Sequence, residues 1–205
     1  MATMAGQAQQ EEDLVRRVQA GDDGAFDRLV ELCAPRVYSL AYRMVGNNED
    51  AQDIAQDAFL RVYQAIQRFR SDATFSTWLH RIVVNACHDE LARRKRRPAT
   101  MSELTDDDDA PSPLDLRSTG ETPETALLQR ERQQAIQRAL AELPEVSRMV
   151  IVLHDIQGMG YQEIAEVTRT EVGTVKSRLN RARNMLREKI SADRELFRGG
   201  ASQSR

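Results

Sequence analysis

Hydrophobic residues recur at intervals of three and four along most of the chain, which is the repeat of an amphipathic α-helix. The clearest example lies near the C-terminus, where one helical stripe carries Val175, Leu179, Ala182, Leu186 and Ile190. No long segment shows the strict alternation of polar and apolar residues that is typical of a half-buried strand. The pattern therefore predicts an all-α fold.

The helical periodicity falls into two blocks. The first covers residues 11–97 and is punctuated by Gly21, Pro35 and the turn at residues 46–48. Residues 98–123 are rich in Asp, Pro, Ser and Thr and include the acidic run 106–109, a composition typical of an extended linker. Periodicity resumes over residues 124–191. We therefore expect two small helical domains, 11–97 and 124–191, joined by a flexible acidic linker, 98–123.

The second domain ends in a predicted helix-turn-helix. A short helix from Tyr161 is followed by a tight turn and a long helix rich in cations. Arg can form paired hydrogen bonds with guanine, Asn with adenine, and Ser, Thr and Lys suit phosphate oxygens. A solvated basic face on an ordinary packing helix is the alternative, against which the short helix and turn argue. The predicted DNA-binding residues are Glu171, Gly173, Thr174, Lys176, Ser177, Arg178, Asn180 and Arg181.

A second signal lies in residues 48–69, whose broad apolar face predicts a core helix. The opposite face carries Asp53, Gln56 and Asp57, but also Leu60 and Tyr63, where water would be expected. Apolar residues inside a polar rim are typical of a protein interface. Single exposed apolar residues are also common on protein surfaces, so this alternative stays open here.

A third predicted helix, residues 74–97, ends in the basic run 93–97. Aromatic and Asn side chains beside a cationic tail suit unstacked bases, whereas the run suits phosphates. For Trp78 a role as a core anchor is the better interpretation, and His88 has a similar structural alternative as a solvated residue. The predicted nucleic-acid contacts are Arg81, Asn85, His88, Asp89, Arg93, Arg94, Lys95, Arg96 and Arg97.

Composition limits the possible functions. The net charge of −3 over 205 residues means that any DNA affinity must come from local patches. Cys33 and Cys87 lack metal-ligand neighbours and are expected to be buried thiols, with a redox role left open.

We find no phosphate loop, metal-ligand cluster or nucleophile motif, so we expect a non-enzyme without a metal or cofactor. No apolar stretch approaches a membrane span, which favours a cytoplasmic protein without membrane insertion.

Two sets of motifs, in order along the chain, resemble a known family. The first set is DIAQDAF at residues 53–59 and TFSTWLHRIVVN at residues 74–85. The second is LP at 143–144, YQEIA at 161–165 and EVGTVKSR at 171–178. Together they are similar to the extracytoplasmic-function (ECF) sigma factors of bacterial RNA polymerase, over residues 11–191. The resemblance implies a protein that directs core polymerase to promoters.

The resemblance also implies particular roles and partners. Asp53, Gln56, Asp57 and Leu60 would contact the clamp helices of the largest polymerase subunit. Residues 68–76 and the helix through Asn85 and Asp89 would bind and help to melt the minus-ten element, and residues 171–183 would read the minus-thirty-five element. The acidic run would thread toward the active-site cleft. An anti-sigma factor would hold the protein inactive until a stress signal releases it.

A LuxR-type transcriptional activator is the alternative, because its recognition helix can also contain the sequence GTVK. Such activators usually carry a receptor domain built on a sheet or around a larger pocket. Residues 11–97 predict only short helices, which favours the sigma factor.

Overall fold

The computed structural model describes residues 2–70, 72–96 and 123–192. Within those ranges the regular structure is helical and contains no strand, which confirms the all-α prediction. The helices are α1 (Ala2–Gln19), α2 (Asp23–Val45), α3 (Asn48–Ala65), α4 (Phe75–Arg96), α5 (Pro123–Ala141), α6 (Glu145–Ile151), α7 (Tyr161–Thr168) and α8 (Val172–Ala192). A 3-10 turn, Ile66–Arg68, extends α3, and a π-helical turn, Val152–Ile156, extends α6.

The predicted linker, residues 98–123, lies outside the described residues except for Pro123, where α5 begins. The boundaries 11–97, 98–123 and 124–191 therefore stay predictions. Helix α1 begins at Ala2, nine positions before residue 11. Its first two turns consist largely of Ala and Gln, which favour a helix.

Turn chemistry explains two of the predicted breaks. Gly46 adopts a left-handed φ of 87° and its N–H donates to the Tyr42 carbonyl, which ends α2. The Asn47 side chain then accepts a hydrogen bond from the Asp50 N–H at 2.9 Å and caps α3. Asp22 caps α2 in the same way, through the Ala25 N–H.

The predicted break at Pro35 is wrong, because Pro35 lies inside α2. A proline removes one backbone hydrogen bond from a helix and usually ends or kinks it. Here Cys33 and Val37, on either side of Pro35, are buried in the core of the first bundle. Tertiary packing of these neighbours holds the helix together through the proline.

Helices α1 to α4 form the first bundle, with α2 at its centre against the other three. The ring of Trp78 is half-buried and lies 4.9 Å from the ring of Phe69 and 5.8 Å from that of Phe75. Rings at such distances stabilise each other beyond simple burial. The contacts support the interpretation of Trp78 as a core anchor.

Helices α5 to α8 form the second bundle. The predicted stripe of α8 faces inward, since Val175, Leu179 and Ala182 are buried and Leu186 packs against the core at partial burial. Ile190 is half-buried. Helix α7 and the first turns of α8 form the helix-turn-helix, with Arg169 at the left-handed end of α7. The prediction of this motif is confirmed.

The two bundles pack against each other. Helix α4 contacts α7, and α2 contacts α5 and α6, so that one continuous hydrophobic core includes residues from both bundles. The helix periodicity contained no indication of this arrangement.

Candidate polymerase and nucleic-acid interfaces

The eight predicted residues of α8 and its turn lie together on the surface of the second bundle. Glu171, Gly173, Lys176, Ser177, Asn180 and Arg181 are exposed, and Thr174 and Arg178 are half-buried. The Lys176 ammonium lies 5.6 Å from the centre of the Tyr161 ring, a cation–π contact that fixes it beside α7. A rigid helix therefore presents donors suited to bases and phosphates on one open face.

Arg169, which lies in the turn just before α8, was not among the residues predicted from the sequence. Its φ of 51° and ψ of 46° are left-handed, a region that non-glycine residues seldom occupy. Its side chain is exposed and lines a shallow surface depression with Gln162 and Glu166. A cation between two threonines in the turn was the signal available in the sequence.

The outward face of α3 has a polar rim and an apolar centre. Asp53 and Gln56 are exposed, and Asp57 is half-buried and pairs with Arg61 at 2.7 Å. Leu60 is 54% exposed and Tyr63 is 57% exposed. The Tyr63 ring packs edge-on against Phe26 of α2 at 5.0 Å, which limits its motion. This face has the composition of a protein-binding surface.

The exposed side of α4 carries Asn85 and Asp89, with Arg81 half-buried beside them. The Asp89 carboxylate lies 3.8 Å from the Arg61 guanidinium of α3. The polar face of α3 and this side of α4 are therefore adjacent.

Within the described residues 93–96 of the basic run, each cation has a polar partner in this arrangement. Arg93 pairs with Glu90 at 2.6 Å, and Arg94 pairs with Asp50 and donates to the Val45 carbonyl. The remaining partners are Glu145 for Lys95 and the Ala92 carbonyl for Arg96, while Arg97 lies outside the described residues. Glu145 also pairs with His88.

Two residues on the buried side of α4, Thr77 and His80, were also missed. The Thr77 hydroxyl donates to Glu163 of α7 at 3.4 Å. His80 is 3% exposed, and its Nδ1 lies 2.7 Å from the Ser76 carbonyl. Burial, with a smaller contribution from Arg36, lowers the pKa of His80 to about 4, so the ring is neutral at pH 7. The sequence does not indicate that the second bundle covers this side of α4, because that depends on tertiary packing.

The two cysteines are fully buried, as predicted. Burial raises the pKa of Cys33 and that of Cys87 to about 12, so both remain thiols at neutral pH. The described parts of the chain contain no group of three His, Cys, Asp or Glu side chains placed to hold a metal ion. Among the helices described, none combines the length and the apolar character needed to cross a bilayer.

Comparison with known proteins identifies two regions of the chain that match family models. The family model for Sigma-70 region 2 matches residues 29–97, and the model for Sigma-70, region 4 matches residues 133–186. The first corresponds to most of α2 through α4, and the second to most of α5 through α8. Each region therefore contains one of the two candidate DNA-binding helices.

Curated relatives match along most of the chain. The RNA polymerase sigma-H factor of Pseudomonas aeruginosa is 37% identical over 178 residues, covering 87% of this chain and 92% of the relative. The ECF RNA polymerase sigma-E factor of Escherichia coli K12 is 39% identical over 182 residues, covering 86% and 92%. SigW, an ECF RNA polymerase sigma factor of Bacillus subtilis, is 36% identical, covering 86% and 94%.

Two solved structures have a similar fold. CnrH in complex with the cytosolic domain of CnrY has a TM-score of 0.64 at 29% identity, covering 90% of this chain and 99% of that one. The sigma factor RpoE of Bartonella quintana, in complex with the anti-sigma factor NepR, has a TM-score of 0.62 at 24% identity, covering 82% and 98%, and shows the shared fold. Nothing in these matches supports a LuxR-type activator. The chain belongs to the sigma-70 family, as an ECF sigma factor of bacterial RNA polymerase.

Proposed function

We propose that this sigma factor binds core RNA polymerase through the outward face of α3 and promoter DNA through α4 and α8. Sigma factors are initiation factors rather than enzymes, so catalysis belongs to the polymerase. The observation that carries the proposal is that α3, with its apolar centre, and α8, with its cationic face, present separate exposed surfaces on two bundles.

The polymerase contact uses Asp53, Gln56 and Asp57 around Leu60, and the clamp helices of the largest subunit are the expected partner. Leu60 is the exposed apolar centre, and burying it would supply affinity. The two carboxylates would orient the complex by pairing with cations of the partner. Tyr63, held against Phe26, extends the same apolar centre without the cost of ordering a mobile side chain.

The minus-ten contact uses the exposed side of α4 around Asn85 and Asp89. Asn can pair with the edge of a base that has left the stack, and Arg81, beside it, can bind the backbone or a base face. His88 and the cations of residues 93–97 would follow the phosphates. These contacts with unstacked bases and phosphates would favour melted over paired DNA. Recognition of the sequence would then be coupled to opening of the strands.

The minus-thirty-five contact uses the face of α8 from Glu171 to Arg181. The first turns of a recognition helix read base edges in the major groove of duplex DNA. Arg178, Asn180 and Arg181 would be the base readers, whereas Thr174, Lys176 and Ser177 would bind phosphates. Arg169, which lies in the turn before α8, would add a contact with the phosphate backbone of the DNA.

We further infer that the protein works in the cytoplasm, where its template and polymerase are found, and that an anti-sigma factor holds it inactive until a stress signal arrives. The structural relative CnrH was determined with the cytosolic domain of CnrY bound, which supports a protein inhibitor here. Such an inhibitor would cover the DNA-binding surfaces. Co-purification of this chain from unstressed cells, followed by identification of its partner, tests the inference.

The experiment that tests the main proposal is transcription in vitro from fragmented genomic DNA. Purified core polymerase is used with and without this protein, and transcript starts are mapped. We expect new starts that appear only with the protein and share two spaced upstream motifs. Identical starts with core polymerase alone, or stimulation only when another sigma factor is added, would contradict the proposal.

A further inference from the structure

Gln19, the last residue of α1, bonds to the stretch of chain that leads from α3 toward α4. This stretch, residues 66–70, is the entry segment of α4. The Gln19 side-chain Nε2 donates to the Ile66 carbonyl at 2.8 Å and to the Phe69 carbonyl at 3.0 Å. A glutamine amide has two N–H groups, so one side chain can satisfy both carbonyls. The two bonds join the segment to a helix that lies 47 to 50 positions earlier in the sequence.

A second glutamine bond runs in the opposite direction. The Gln67 side-chain Nε2 donates to the Val18 carbonyl of α1 at 3.1 Å. The side chains of Val18 and Ile66 are buried, so apolar packing lies beneath these hydrogen bonds. The Ile66 carbonyl also accepts from the Phe69 N–H at 3.1 Å, within the 3-10 turn. Three side-chain hydrogen bonds therefore fix the entry segment to the end of α1.

Phe69 is held through its ring as well as through its carbonyl. Its ring centre lies 4.9 Å from that of Trp78 and 5.9 Å from that of Phe75, both on α4. Phe69 thus contacts α4 on one side and α1 on the other. Its two neighbours, Arg68 and Arg70, are exposed. Fixing Phe69 therefore also fixes the direction in which these two cations leave the backbone.

We propose that Gln19 is a positioning residue for the minus-ten contact. It holds the entry segment in the conformation that presents Arg68 and Arg70 to the phosphates of the melted strand. This rests on the proposed function, in which the first bundle binds that strand. Both amide hydrogens of Gln19 are used by carbonyls of the segment, so Gln19 acts through the segment rather than on DNA.

The physical basis is preorganisation. A surface that is already in its binding conformation binds more tightly, because less freedom is lost when the complex forms. Without the Gln19 bonds, the entry segment would adopt other conformations as well. The apparent affinity for the strand would then fall by the fraction of molecules in which the segment is correctly placed.

The substitution that tests the proposal is Q19M. Methionine is similar in length to glutamine and has a similar helix propensity, but its side chain cannot donate a hydrogen bond. Gln19 is exposed, so the change leaves the core intact. Q67M removes the bond in the opposite direction and is the second variant. The matched control is Q10M, which makes the same change at another exposed position of α1.

Fluorescence of Trp78, the only tryptophan in the chain, reports on the entry segment in the free protein. Because its ring contacts Phe69, release of the segment exposes the indole to water and shifts its emission to longer wavelength. We expect this shift in Q19M and in Q67M, but not in Q10M. Far-ultraviolet circular dichroism checks that each variant keeps its helices. Unchanged emission in both Q19M and Q67M would overturn the proposal.

Binding of a labelled single strand completes the test. The strand carries the downstream of the two motifs recovered by transcript mapping, and each variant is measured in complex with core polymerase. We expect Q19M to bind the strand several-fold more weakly than the unchanged protein, whereas Q10M binds normally. Affinity of Q19M and of the unchanged protein for a duplex that carries the upstream motif should be equal, because α8 lies on the other bundle.

Two results would contradict the positioning role. Weaker strand binding by Q19M without a shift in Trp78 emission would mean that Gln19 contacts the strand directly. A shift in emission with unchanged strand affinity would mean that its bonds serve the fold alone. If even the unchanged protein neither binds the strand nor yields new transcript starts, the proposed function fails, while the emission of Trp78 still decides whether Gln19 holds the entry segment.

Discussion

The guanidinium of Arg148 donates a hydrogen bond to the main-chain carbonyl of Met44 at 2.5 Å, although 104 positions separate the two residues. Arg148 also donates to the Ala141 carbonyl at 2.6 Å, within its own bundle. One side chain of α6 thus connects the end of α2 with the end of α5. The sigma factor holds its two candidate DNA-binding helices on bundles that touch, while the proposed polymerase-binding face of α3 remains open.

Charge reversal on α3 should remove polymerase binding without unfolding the protein. Asp53 is exposed and Asp57 is half-buried and pairs with Arg61, so D53K/D57K disturbs little of the core. We expect at least a tenfold loss of affinity for core polymerase by fluorescence anisotropy. The control D27K/E31K makes the same charge change at exposed positions of α2 and should bind normally. Equal affinities for both variants would mean that α3 is not the polymerase-binding face.

Removal of the arginines on α8 should weaken reading of the upstream promoter element. R178A and R181A each delete a side chain that can form paired hydrogen bonds with a base, which is worth about 1–3 kcal/mol per contact. We expect each variant to bind the upstream motif about 5- to 150-fold more weakly and to discriminate less against a scrambled duplex. R187A, also exposed on α8, is the control. Unchanged affinity and preference in both variants would mean that another face of α8 meets DNA.

His80 should make the free energy of unfolding depend on pH. Its pKa is about 4 in the folded protein and about 6.5 when unfolded, so the unfolded state binds the proton first as pH falls. The His80 contribution is therefore fully present above pH 6.5 and is lost between pH 6.5 and 4, in total about 3 kcal/mol. Besides Ser76 on its own helix, the groups that influence the ring are Arg36 of α2, Gln157, and Glu163 of α7.

Urea denaturation at pH 7.5, 6 and 5 checks the pH dependence expected from His80, with H80Q as the comparison. The difference in unfolding free energy between the unchanged protein and H80Q should become smaller as pH falls. Burial also raises the pKa of Glu11, which acts in the opposite direction and cancels in this comparison. A difference that stays constant from pH 7.5 to 5 would show that the His80 ring is accessible to protons in the folded state.

The two thiols should be inert in the native protein. Cys33 and Cys87 are fully buried and burial raises the pKa of each to about 12, so little thiolate exists at pH 8. We expect a thiol-reactive disulfide reagent to react with neither within minutes under native conditions and with both in 6 M guanidinium. Introducing E12C gives an exposed positive control. Rapid native reaction of one natural cysteine would show that its part of the first bundle opens readily.

The sequence predicted much of the candidate site because the relevant signals are local. The stripe through Val175, Leu179 and Ala182 depends only on the 3.6-residue repeat, and it correctly assigned the exposed face of α8. The same reasoning separated the core face of α3 from Asp53, Gln56 and Leu60. The predicted break at Pro35 was wrong, because burial of the residues around it outweighed the tendency of proline to end a helix.

The sequence by itself determined the helices, the helix-turn-helix and, through its motifs, the sigma-factor family. Only the tertiary structure decided that His80 is buried, that residues 93–96 of the basic run are paired, and that Glu145, Arg148 and Gln137 join the two bundles. These contacts link a few polar side chains to carboxylates and backbone carbonyls 50 to 104 positions away. Such contacts leave no periodic pattern in the sequence, because they depend on the distance between helices rather than on the repeat within one.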